Sequence, residues 1–67
     1  MELDIEKIKH IKKMLNLTYR EIAEILGMDS RQQAHELIAN RRLGAADKYA
    51  KVFTAKGFPI NPKDLIK

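Results

Sequence analysis

The sequence predicts an all-α fold, a compact bundle of about five short helices containing a helix-turn-helix, and three observations carry that prediction. Apolar residues recur at three- and four-residue intervals along nearly the whole chain, which is the period of one helix face. Gly27, Asn40 and Gly57 follow the periodic segments, and these residue types end helices readily because they tolerate a left-handed backbone. No segment shows the alternation of apolar and polar side chains that marks a half-buried strand.

Taken in order, the first helix is expected from about Asp4 to Leu15, where Ile5, Ile8, Ile11 and Leu15 form one stripe. Lys7, Lys9, Lys12 and Lys13 occupy the remaining surface as a solvated face. Leu17 and Thr18 restart the chain, and Thr18 with Glu21 three residues later forms a capping box for the second helix. Ile22, Ile25 and Leu26 supply its buried side before Gly27 stops it. Met28-Asp29-Ser30 is the turn, with Asp29 or Ser30 capping the third helix and Ala34, Leu37 and Ile38 facing inward. Asn40 is expected to leave that helix in the left-handed conformation, ahead of the basic link Arg41-Arg42-Leu43-Gly44. A fourth helix runs from about Ala45 to Lys56 on Tyr49, Val52 and Phe53, and Gly57 and Pro59 prevent its continuation. Asn61 as cap and Pro62 at the first helical position open a short fifth helix.

A chain of 67 residues implies one domain, 1–67, with the helix-turn-helix at about 18–39. A domain of this size buries only about 60% of its unfolded surface, so its stability is marginal. There is no cysteine, which excludes a disulfide framework and a cysteine-based zinc site. The acidic start, Met1 to Glu6, is unlike a signal peptide, and no apolar run approaches the ~20 residues a membrane span needs. A cytoplasmic, nucleoid-associated protein is the expectation. The net charge is +4, unevenly placed: five Lys/Arg face six Asp/Glu in residues 1–30, against eight facing three in residues 31–67. A basic half beside a near-neutral half suits a domain that turns one face to a polyanion.

Residues 17–42, LTYREIAEILGMDSRQQAHELIANRR, hold the functional signal. Ala23 is small where two helices must cross, Gly27 frees the turn, and Met28 can tuck between the helices. The second helix of the pair then presents Arg31, Gln32, Gln33, His35, Glu36 and Ala39 outward. Glutamine can bond adenine bidentately, arginine can do so to guanine O6 and N7, and a carboxylate can accept from cytosine N4. Arg41 and Arg42 follow that helix and suit phosphates, which position a protein without reading sequence.

In Leu17-Thr18, Glu21 to Gly27 and Ser30-Arg31-Gln32, the chain resembles the Cro/cI-type (xenobiotic-response-element) helix-turn-helix family of phage and bacterial transcriptional regulators. The resemblance spans about residues 5–66, with Ile60 to Leu65 similar to the family's short last helix. It implies a repressor in which Ser30, Arg31, Gln32, Gln33 and Glu36 line the major groove of operator DNA. Thr18, Tyr19, Arg41 and Arg42 would touch the DNA backbone. Tyr19 stands where the family usually has Gln, Asn40 where Gly is common, and the turn is one residue longer near Asp29.

A single such domain contacts few base pairs, so a homodimer on a pseudo-palindrome is the expected working form. Phe58, Ile60, Leu65 and Ile66 form the candidate dimer or partner surface; completion of the core by the fifth helix is their other reading. With no sensor or oligomerisation domain expected after residue 67, control would come from protein concentration or a partner. The rival function is an antirepressor, a protein-interaction module that keeps the fold but binds and masks another repressor. No cofactor, metal or catalytic residue is expected: His10 and His35 lie 25 positions apart without a ligand cluster, and no nucleophile has a base beside it. The lysine-rich first helix lacks Trp or Phe anchors and is interrupted by Glu2, Asp4 and Glu6, so no membrane partner is expected.

Overall fold

In the computed structural model, which describes residues 1–67, four α-helices follow one another: α1 (Ile5–Met14), α2 (Tyr19–Leu26), α3 (Arg31–Ala39) and α4 (Gly44–Ala55). Local chemistry sets their limits. The Asp4 carboxylate accepts from the Lys7 amide at 3.2 Å and starts α1. Thr18 Oγ1 accepts from the Glu21 amide at 3.2 Å and starts α2, but Glu21 does not return the bond. Its carboxylate instead accepts from Lys56 Nζ at 3.3 Å, tying α2 to the end of α4. Gly27 closes α2 at φ 70° and Gly57 follows α4 at φ 86°.

Two expectations about helix ends require correction. The predicted fifth helix is a single 3-10 turn, Pro62–Leu65. It stops because Ile66 is extended and pairs antiparallel with Leu3. The Glu2 amide donates to Lys67 O at 2.9 Å, the Lys67 amide to Glu2 O at 2.8 Å, and the Asp4 amide to Leu65 O at 2.8 Å. Nor does Asn40 take the left-handed position after α3. It stays right-handed at φ −81° and donates to Glu36 O, and Arg41 adopts φ 50° instead. Extending α3 by this residue keeps one more backbone bond, and a non-glycine residue then carries a conformation that costs about 1–2 kcal/mol.

The interior is built on α4. Tyr49, Phe53 and Val52 are fully buried there, together with Ile8 of α1, Ile22 of α2 and Leu65 of the final turn. Alanines 45, 46 and 50 let neighbouring elements approach α4 closely. Ile5, Leu15, Ile25, Leu26 and Leu37, expected inward, are half-buried at the core's edge. Leu65 does not belong to a surface at all: its relative exposure is 0%. Phe58, Ile60 and Ile66 are half-buried and packed against the same core. Leu65 therefore completes the core, which is the other reading given to these residues, while Phe58, Ile60 and Ile66 keep part of their surface exposed. No helix is long and apolar enough to cross a membrane.

Helix α3 packs chiefly against α2 and is tied to α4 by a buried bond from the Tyr49 hydroxyl to Ala34 O at 3.3 Å. Burial holds the Tyr49 phenol well above its ordinary ionisation range, with the nearby Tyr19 phenol adding to the effect. Above about pH 10 the tyrosine of an unfolded chain loses its proton and the buried Tyr49 keeps it, so the folded state binds more protons and stability falls as pH rises. Tyr49→Phe is therefore expected to lower stability near neutrality by about 1 kcal/mol and to remove this alkaline loss. Urea denaturation at pH 7 and at increasing alkaline pH checks both effects.

Candidate nucleic-acid interface

Only Ala34 and Ile38 of the nine residues of α3 are buried, and Leu37 is half-buried. Arg31, Gln32, Gln33, His35 and Glu36 are all exposed. With a turn of 3.6 residues, Gln32, Glu36 and Ala39 fall on the side away from Ala34 and Ile38. Gln33 and His35 flank them, and Arg31 occupies the N-terminal tip.

The residues at the start of α3 cap it in a different way from that expected. Ser30 is the N-cap in extended conformation, and its hydroxyl makes no capping bond. Gln33 reaches back instead, its Oε1 accepting from the Asp29 amide at 3.2 Å. Half of a capping box is thus formed one residue earlier, at Asp29. The Ser30 hydroxyl is left exposed and the Gln33 carbonyl oxygen is engaged, while the Gln33 NH2 group remains free to donate.

The exposed His35 side chain has a neighbour of its own. Its imidazole packs edge-to-face on Tyr19, with centroids 5.1 Å apart and planes at 85°. The Lys12 ammonium lies 4.3 Å from the centre of the same Tyr19 ring. Lys12, Tyr19 and His35 therefore join α1, α2 and α3 in one contact, with Tyr19 half-buried between the Lys12 ammonium and the imidazole. On the opposite flank of α3, Gln33 and Glu36 line a cleft of about 340 Å³ with Asn40, Arg42 and Lys48.

The basic pair after α3 divides. Arg42 joins the cleft beside Gln33 and Glu36, so it remains with the α3 residues. Arg41, turned by its positive φ, borders a separate groove with Glu2, Glu6 and Lys67. Thr18 is exposed, with its hydroxyl accepting the capping bond. The fold accordingly brings Gln33, Glu36 and Arg42 together on one flank of α3 and His35 with Tyr19 on the other, while Gln32 lies on the exposed side between them and Ser30 and Arg31 stand at the N-terminal tip. It sets Arg41 apart; of the C-terminal residues, Leu65 is enclosed in the core and Phe58, Ile60 and Ile66 are half-buried against it.

Lys12 and Lys48 join these groups without having been singled out in the sequence. Lys12 lies six residues before Thr18, the start of the capping box. That spacing across a loop says nothing about stacking. Lys48 sits one turn beyond Gly44, on the exposed side opposite buried Ala46 and Tyr49, and its helical position was the available signal. No group of three or more His, Cys, Asp or Glu side chains comes together in a metal-holding arrangement.

Compared with protein-family models, curated proteins and solved structures, the chain matches none.

Proposed function

We propose that this chain is a sequence-specific, double-stranded DNA-binding transcriptional regulator, a Cro-like helix-turn-helix repressor that reads operator DNA in the major groove with α3. One observation carries the reading: only Ala34 and Ile38 of α3 are buried, while Arg31, Gln32, Gln33 and Glu36 stay exposed along it. A helix seated so shallowly stands proud of the body, and those side chains match base-edge donors and acceptors. The connection Gly27 to Ser30 between α2 and α3 acts as the turn, Arg42 and Lys48 as positioning cations on phosphates. The net charge of +4 favours association with a polyanion. Two copies on a pseudo-palindrome would supply the specificity that one short helix lacks. Burial of Leu65 and partial burial of Phe58, Ile60 and Ile66 weaken the support for an antirepressor gripping its partner through the C-terminal residues.

Selection of duplexes from a randomised pool, followed by fluorescence anisotropy across a salt series, tests the proposal. The expected result is a pseudo-palindromic sequence bound about a thousandfold above random DNA, with affinity falling steeply as salt rises. Binding that depends on salt but selects no sequence would refute it. Capture of a partner repressor by the same protein would then favour the antirepressor reading.

A further inference from the structure

The lysines of α1, unassigned in the reading above, gather along one flank of the helix. Lys9, Lys12 and Lys13 line a groove with Asn16, Leu17, Thr18 and Tyr19, and no carboxylate lines it. The molecule's two ion pairs, Arg20–Glu24 and Lys56–Glu21, use none of these lysines. Lys9 also borders the groove that holds Glu2 and Glu6, whereas Lys12 and Lys13 line only this one. Lys7 lies on the other side of the apolar stripe of α1, as the helical period requires.

We infer that this flank is a second contact surface for the phosphodiester backbone of duplex DNA, continuous with the α3 face; the inference rests on the DNA-binding reading of α3. Continuity comes from Tyr19, whose ring touches His35 of α3 and lies beneath the Lys12 ammonium. The cation–π contact keeps Lys12 beside Thr18 and Tyr19, so less side-chain freedom is lost when a phosphate arrives. Lys9 and Lys13 are four residues apart in α1, about 6 Å along the axis. Successive charges on one DNA strand rise about 3.4 Å along its own axis, so the flank is long enough for neighbouring phosphates. Lysines carry compact charges without the planar fork suited to base edges. The flank therefore adds affinity and fixes orientation, and it leaves the preferred sequence unchanged.

Fluorescence anisotropy on the full chain tests this, with a short mixed-sequence duplex as probe and salt as the variable. The double variant Lys9→Gln/Lys13→Gln is expected to lower the slope of log affinity against log salt by nearly 2, since each phosphate contact contributes about 0.9. Lys7→Gln/Lys63→Gln removes the same net charge elsewhere and should leave the slope close to that of the unaltered protein. Lys9→Arg/Lys13→Arg should retain it too, because charge is kept. Equal slopes for the two glutamine pairs, changed or unchanged, would overturn the flank while the unaltered protein still bound DNA. An unaltered protein with no salt-dependent binding to any duplex would instead bring down the α3 reading and the flank together.

Discussion

Replacing Arg31 and Gln32 together by alanine should reduce affinity for the selected operator by between about 30-fold and 10⁴-fold. Each bidentate base contact supplies about 1–3 kcal/mol of discrimination, and each 1.4 kcal/mol corresponds to a factor of ten. Affinity for random duplex should change far less, because phosphate contacts supply essentially all of the nonspecific binding. Both side chains are exposed, so the thermal midpoint should barely move; surface substitutions of this kind usually stay within about 0.5 kcal/mol. Anisotropy against operator and random duplex, with a melting curve for each variant, separates the effects. A double variant with full operator preference would show that α3 does not read the bases through its N-terminal turn.

The second large effect concerns stability. Leu65→Ala should destabilise the protein by about 2–5 kcal/mol, the range for deleting a buried leucine side chain. Stabilities near 0.05–0.15 kcal/mol per residue give a 67-residue chain about 3–10 kcal/mol in total, so this single change would unfold a substantial fraction of molecules. Ile66→Ala, at a half-buried neighbour, should have a smaller effect. Chemical denaturation of the two variants makes the comparison. A Leu65 variant as stable as the parent would mean that its side chain is free for a partner after all.

How far the sequence could be read depended on the range of the interaction concerned. The Thr18 cap, the Gly27 turn and the inward positions Ile8, Ile22, Ala34 and Phe53 depend on residues within a turn or two, and periodicity reveals them. Leu65 was ambiguous because its neighbours are supplied by elements remote in the chain. Spacing alone shows an apolar residue in a short amphipathic segment, equally suited to core or surface. The single pairing of Leu3 with Ile66 is too short to generate a strand pattern. At the site, exposure of Gln32, Gln33 and Glu36 followed directly from the helical period, and that of Arg31 from its place at the tip of α3. The separation of Arg41 from Arg42 did not, because it depends on which of two adjacent residues takes the left-handed conformation. Asparagine has the better intrinsic preference for it, yet one more helical bond at Asn40 won. His35 was likewise legible as exposed, but its engagement by Tyr19 arises from the crossing of α2 and α3.

The clasp between residues 2–4 and 65–67 has a consequence for folding kinetics. Most helix contacts in this molecule join elements close in sequence, the arrangement associated with fast folding. The clasp instead closes almost the entire chain into a loop, and the entropy of doing so rises only logarithmically with loop length. Closure is expected to come after the helices have assembled around α4, since that assembly already brings the two ends near each other. Because the amides of Glu2, Asp4 and Lys67 all bond across it, neither terminal segment can fray alone. Amide exchange should release the three as a cooperative unit, ahead of the helical interior, and Leu65 would be the residue through which that opening reaches the core.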